Sequence, residues 1–299
     1  MVLEYIVKEK DKNKTINQII CENYDLSNRL YSKLIKSNRI LIDNKKTDTR
    51  IIPKVEDVIK IDLNYDEDNS NIVSKRMDLD IVYEDEAIII VNKPIGIAVH
   101  PSIRHYENSL ASGIKYYFEK NGINKKIRPV NRLDLNTSGL IIFAKNEYVQ
   151  ENLIKQMQTN TFTKEYIAIA LGIFEKKKGK IDAPITRKEG SIIERCVSEE
   201  GKKAVTEYEV IKELDKYSIV KCKLLTGRTH QIRVHMSYMG HPLLGDSLYG
   251  EKSDLIDGQA LHCNKLTFLH PISREKLEIT SNSNVEQKFE KILRNLLTK

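Results

Sequence analysis

The chain has 299 residues, of which 40% are hydrophobic and 30% charged, and 49 lysines and arginines against 42 acids leave a net charge of +7. No apolar run approaches the roughly 20 residues a membrane-spanning helix needs. The four cysteines, Cys21, Cys196, Cys222 and Cys263, include no close pair, which argues against a zinc ribbon, a redox pair or a disulfide framework. The content suffices for one large domain or a large and a small one, and the basic excess suits a polyanionic partner. Charges follow Met1-Val2-Leu3-Glu4-Tyr5 instead of a long apolar segment, so no secretory leader and a cytoplasmic location are expected.

Taken in order, Thr15 can cap a helix carrying Ile16, Ile19 and Ile20, and Ser27 a second whose Leu30, Leu34 and Ile35 share a face. Arg29, Lys33, Lys36 and Arg39 give this second helix a cationic face opposite its apolar one. Ile40-Leu41-Ile42, the turn Asp43-Asn44-Lys45-Lys46 and the alternating Val58-Ile59-Lys60-Ile61-Asp62-Leu63 predict short strands. The order of helix, helix and hairpin resembles an S4 domain, a small RNA-binding module, over residues 1–64. Residues 65–79 turn polar and acidic, with little to bury, and read as a linker. Apolar runs return from about Asp80, where a large domain of residues 80–299 begins; Ala87-Ile88-Ile89-Ile90-Val91 is a strand ended by Pro94 and Gly96.

The stretch Asn131-Arg132-Leu133-Asp134-Leu135-Asn136-Thr137-Ser138-Gly139 sets a single acid among turn formers. The apolar run Leu140-Ile141-Ile142-Phe143-Ala144 follows as a buried strand, so the loop before it is supported well enough to aim a side chain. Val149, Leu153 and Met157, with Ile154, mark the buried side of a helix, and residues 164–172 read as a strand containing Tyr166. A further strand leads into Thr226-Gly227-Arg228-Thr229-His230-Gln231-Ile232-Arg233-Val234-His235-Met236, where Thr229 can cap a helix that buries Ile232, Met236 and Met239. Arg228 and Arg233 stand in or near its first turn, where cations oppose the helix dipole unless a carboxylate or phosphate offsets them. His230 and His235 are five apart and miss the four-residue spacing of the helical zinc motif, so no metal site is expected. The strip from Gly240 to Gly250 is turn-rich and reads as architectural.

Residues 131–139 resemble the Arg-Leu-Asp-x-x-Thr-Ser-Gly motif of the RluA family of pseudouridine synthases, and residues 226–235 with 240–250 resemble that family's later motif. The strand around Tyr166 is similar to its intermediate motif, and Leu261-His262 to His270-Pro271 to its last one. The resemblance implies an α+β fold: a mixed, largely antiparallel sheet around a central cleft, here preceded by the small S4-like unit. It also implies a reaction, in which a uridine of RNA has its glycosidic bond broken, the uracil turns within the site, and C5 rejoins the sugar. Asp134 would be the essential aspartate, attacking C1′ or removing a proton from C2′. Arg233, in preference to Arg228, would pair with it and orient it. Tyr166 would stack on the base, with a share in proton removal at C5. Arg132 would help extrude the nucleotide, and Arg228, His230 and Gln231 complete the substrate-binding set. The family commonly has His before Arg132; this chain has Asn131.

A typical glycosidase needs two carboxylates, and the central motif offers Asp134 alone. Neither a cofactor nor a metal is required by this chemistry. RNA is the expected partner of a monomeric protein, held by Arg29, Lys33, Lys36 and Arg39 through its phosphates and by the cleft through the target uridine. Large-subunit ribosomal RNA is the preferred substrate, because S4-bearing members often act there, with transfer RNA the alternative. Two rival classes are a non-catalytic RNA-binding or ribosome-assembly protein and a hydrolase that releases free uracil.

Overall fold

The computed structural model describes residues 1–102, 106–159, 161–281 and 284–297. Strand β1 (Val2–Ile6) leads to helices α1 (Ile16–Tyr24) and α2 (Asn28–Lys36), followed by β2 (Ile40–Ile42), β3 (Lys45–Lys46) and β4 (Val58–Asp62). Thr15 and Ser27 cap the two helices, their side chains accepting from the backbone N–H of Gln18 and Leu30. Ile16, Ile19, Ile20, Leu30 and Leu34 are fully buried, but Ile35 is 40% exposed. One residue beyond Leu34 the helix has turned about 100°, which carries Ile35 off the apolar stripe. The strands form an antiparallel sheet in the order β1-β4-β2-β3. Strand β1 is a finding of the structure; its signal was the alternation of Leu3, Tyr5 and Val7, of which Leu3 and Val7 are buried.

The rest of the chain adds β5 (Ile81–Glu84), β6 (Ile88–Lys93), α3 (Leu110–Lys120), β7 (Arg128–Pro129), β8 (Ser138–Ala144), α4 (Glu147–Gln158), β9 (Thr163–Leu171), β10 (Lys178–Asp182), β11 (Ile185–Arg187) and β12 (Arg195–Val197). It continues with β13 (Val205–Leu214), β14 (Tyr217–Leu224), α5 (Gln231–Tyr238), β15 (Leu261–Leu269), β16 (Lys276–Thr280) and α6 (Val285–Leu297). One long sheet runs β10-β13-β14-β9-β15-β8-β6-β5, with β16 on β15 and β7 on β8. Its pairings are antiparallel except for β8 with β15.

The apolar runs of β6 and β8 are continuous because both faces of the sheet are covered. On one face Ile89, Val91, Ile141 and Phe143 pack with Leu110, Ile114 and Phe118 of α3. On the other, Ile88, Ile90, Leu140 and Ile142 join Tyr148, Val149 and Leu153 of α4. Ile154 lies off that stripe and is 37% exposed. Helix α6 covers Ile167, Ile169 and Ile219 with Val285, Phe289 and Leu293.

Residues 65–79 hold no helix or strand, yet they bury more than their polarity implies. Glu67 accepts two bonds from the Arg128 guanidinium at 2.7 and 2.6 Å, and Ile72 is buried among the α3 residues. Helix α2 lies against the start of α4: Ser27 donates to Glu151 at 2.7 Å, Lys33 to Glu147 at 3.1 Å, and Arg29 also pairs with Glu147. Arg39 pairs with Asp62. Three of the four cations expected on a free basic face therefore already meet carboxylates of the same chain, and among the described residues Lys36 is the exposed one without such a pair.

Candidate active site

The loop after β7 carries Asp134 and is fastened from four directions. The Asn131 amide donates to Leu140 O at 3.0 Å and accepts from Ile142 N–H at 2.9 Å, so it bridges the loop to β8. The residue that departs from the usual histidine thus serves as a backbone clamp. Thr137 N–H closes a turn on Asp134 O, and Gln259 donates to the Thr137 hydroxyl at 2.8 Å. Beneath the loop, Lys93 is 1% exposed and donates to Pro94 O, Ile97 O and Leu135 O at 2.8–2.9 Å. Burial pulls its ammonium down to about 8, and the charge of Asp134 acts in the opposite sense. Where the loop enters β8, Gly139 has φ +115°, and a side chain there would strike the Cys263 backbone of β15. Only glycine permits that approach.

Asp134 faces a cleft of about 610 Å3. Arg233 of α5 donates through Nη1 to Asp134 Oδ2 at 3.0 Å. Its other side grips Asp246, Nε to Oδ2 at 2.7 Å and Nη2 to Oδ1 at 2.8 Å. Burial works against the charge of Arg233, but the bonds and charges of Asp246 and Asp134 overcome it and raise its pKa. Asp246 is fully buried, and its Oδ1 also accepts from the N–H of Leu248 and Tyr249. The guanidinium is thus a fixed bridge between a buried carboxylate and the one that faces the cleft.

Tyr166 reaches the same cleft from β9 and is 4% exposed. Burial, with the neighbouring Cys263, pushes its phenol well above the ordinary value. It is a neutral aromatic surface at pH 7. His230 lies with Nε2 3.8 Å from Asp134 Oδ2, and burial lowers its pKa while Asp134 acts to raise it. Its Nδ1 meets the Tyr249 hydroxyl at 2.8 Å, and that hydroxyl accepts from Arg195 N–H. Arg132 is exposed at the mouth of the cleft.

The loop before α5 differs from the sequence reading. The residue at the helix start is His230 in a left-handed conformation, φ +58°, and Thr229 caps nothing. Gln231 supplies the order instead: its carbonyl accepts from the Thr226 hydroxyl and Arg228 N–H, and its amide donates to Val205 O and the Thr206 hydroxyl. All four hydrogen-bonding positions of the amide are used, so Gln231 lines the cleft as scaffold, with nothing left for a base. Arg228 is exposed and anchored on Lys203 O at 2.9 Å, while Arg233 takes the contact with Asp134.

Residues 87–238, which include Asp134, Tyr166 and Arg233, match the family model described as RNA pseudouridylate synthase. The chain is also 38% identical over 275 residues to the uncharacterized RNA pseudouridine synthase YhcT of Bacillus subtilis (strain 168), covering 91% of each protein. The chain belongs to the RluA-type RNA pseudouridine synthases. It is 34% identical to the ribosomal large subunit pseudouridine synthase D of Vibrio parahaemolyticus, over 93% of this synthase and 90% of that one. Among solved structures, human RNA pseudouridylate synthase domain containing 1 superposes with a TM-score of 0.58 at 29% identity, over 69% of this synthase and 84% of that chain.

Three residues of the synthase's centre were not legible as such in the sequence. Asp246 sits in the strip read as architectural, Lys93 in the strand end Asn92-Lys93-Pro94, and Tyr249 near Gly250. A lysine two positions after the apolar run of residues 87–91, still within β6, was the usable signal for Lys93, since a cation there is buried unless the strand has ended. His235 is a core residue whose ring nitrogens meet the Thr206 hydroxyl and Ala183 O, each at 2.9 Å.

Proposed function

We propose that this synthase converts specific uridines of large-subunit ribosomal RNA to pseudouridine, working as a cytoplasmic monomer whose residues 1–64 act as an S4-type RNA-binding unit. The observation that carries the catalytic assignment is the Asp246–Arg233–Asp134 bridge, which aims one oriented carboxylate into a cleft beside Tyr166. The substrate class is supported by similarity to a protein named for the large ribosomal subunit.

In this reading Asp134 acts at the sugar, at C1′ as a nucleophile or at C2′ as a base, and Arg233 holds its second oxygen in place. The C1′–N1 bond breaks with its electron pair going to the base; C5 then bonds to C1′ as Asp134 is released, from its ester at C1′ or by returning the C2′ proton, and the proton C5 loses to solvent is matched by one that N1 takes up. Tyr166, a neutral phenol, stacks against the uracil while it turns and is unsuited to act as a free base. Arg132 and Arg228, exposed at the rim, meet phosphates of the extruded nucleotide.

Purified protein incubated with large-subunit ribosomal RNA and, separately, with transfer RNA tests this directly. Pseudouridine at discrete sites of the ribosomal RNA, absent with Asp134→Asn, is expected. Modification confined to transfer RNA would move the substrate to the alternative, and full activity of Asp134→Asn would remove the site assignment.

A further inference from the structure

Lys164 has no part in the chemistry described so far. It stands on β9 two residues before Tyr166, so both side chains leave the same face of the strand, and both line the cleft with Asp134. Its ammonium lies beside the loop that carries Arg228 and His230: a Cβ at Gly227 would be 3.4 Å from Nζ. Of the other cations around the cleft, Lys93 is committed to three carbonyls and Arg233 to two carboxylates, while Arg132 and Arg228 are exposed at the rim, Arg228 anchored on the Lys203 carbonyl. Among the described residues the Lys164 ammonium has no hydrogen-bond or ion-pair partner. Burial lowers its pKa. A desolvated ammonium without an acceptor is unfavourable, and the acceptor that would relieve it is one that the substrate brings.

We propose that Lys164 faces a carbonyl oxygen of the bound uracil and stabilises the negative charge that the base acquires as the C1′–N1 bond breaks. The inference rests on the assignment of Asp134 and Tyr166 as the site. When the bonding pair passes to the base, the charge spreads over N1 and the two carbonyl oxygens. Lys164 stays an ammonium and transfers no proton; the charge is withdrawn from the oxygens when C5 bonds to C1′, and the proton that C5 then gives up to solvent is balanced by one taken up at N1. A glycosidase uses a second carboxylic acid to assist the departing group. Here a cation lining the cleft takes that place, and it keeps the base as an anion able to react at C5 instead of protonating it. The two-residue offset on β9 is about 6.6 Å, which sets the ammonium near the edge of a base whose face rests on Tyr166.

The test uses the full chain and an RNA carrying one mapped target uridine, under single turnover at saturating enzyme. Lys164→Met is expected to slow pseudouridine formation roughly 100- to 1000-fold, as for loss of one preorganised donor, with RNA affinity changed by no more than about threefold. Lys164→Gln should follow Met, and Lys164→Arg should recover about tenfold or more by restoring the charge. Replacing the target by 5-fluorouridine, whose base is a more stable anion, should narrow the gap between wild type and Met in the rate of rearrangement. An unchanged rate would overturn the proposal. So would an equal gap for both bases, which indicates a structural role. Weakened binding with a salt slope lower by about one and an intact saturated rate would make Lys164 a phosphate contact instead. Asp134→Asn serves as the separating control: if it is as active as wild type, the site assignment fails and Lys164 is not in question.

Discussion

Arg233 is held from two sides of unequal depth, and the two carboxylates are therefore expected to fail differently. Asp246 is fully buried and takes two bonds, whereas Asp134 is 27% exposed and takes one. Asp134→Asn should abolish pseudouridine formation while changing stability by less than about 1 kcal/mol. Asp246→Asn should lower both, stability by about 3–5 kcal/mol, because it strips a buried partner from a buried cation. Urea unfolding beside single-turnover assays would show this, and equal stability losses would contradict it. Burial, and secondarily Lys288, depress His262 from 6.5 to about 4. The unfolded chain then binds a proton near pH 6.5 that the native chain refuses until about pH 4, so this contribution is full above about 6.5 and is lost as pH falls between the two. The loss approaches about 3 kcal/mol at the acid end. His262→Gln should flatten the decline in urea midpoint from pH 7 to pH 5; an unchanged slope would contradict the assignment. The placement of Asp134 in a supported turn was legible because it is the single acid before an apolar run, and its proposed role came from the resemblance of residues 131–139 to the family motif. Asp246 was not, because its role exists only through a partner 13 positions away that local pattern does not reveal.

Among elements, the long apolar runs of β6 and β8 were readable because they are buried on both faces, and helices α1 and α2 because their caps are local. What escaped depends on distant chain. Strand β1 is fixed by pairing with β4, some 55 residues on, and the start of α5 by Gln231 reaching β13. The cationic face of α2 read as free because its acids, Glu147 and Glu67, lie elsewhere in the sequence. Lys33 also stands 4.5 Å over the Tyr65 ring. If α2 contacts RNA as proposed, phosphates compete with Glu147 for Arg29 and Lys33 or bind through their exposed edges. Glu147→Gln is expected to tighten RNA binding and to steepen the dependence of log affinity on log salt by about one to two, as one or two cations are freed. Filter binding from 50 to 300 mM salt, a range in which such slopes are measurable, would show it. An unchanged slope would mean that α2 contributes no phosphate contacts.

At the scale of the whole molecule, two cavities meet at His100 and Pro129. One is the cleft holding Asp134; the other, of about 470 Å3, lies between α2 and the start of α4 and includes Arg29, Lys33 and Lys126. A strand whose uridine is extruded at Asp134 thus has a neighbouring, mostly basic recess leading to the N-terminal unit. Deleting that unit is expected to weaken RNA binding more than it slows a saturated reaction, with the uncovered start of α4, where Glu147 and Glu151 lose their partners, costing stability as well. The most direct check on the central claim is position-resolved pseudouridine mapping of total RNA from cells lacking this protein and complemented with wild type or Asp134→Asn. Sites in large-subunit ribosomal RNA that vanish and return only with wild type are the predicted result. Restoration by Asp134→Asn, or loss confined to another RNA class, would contradict it.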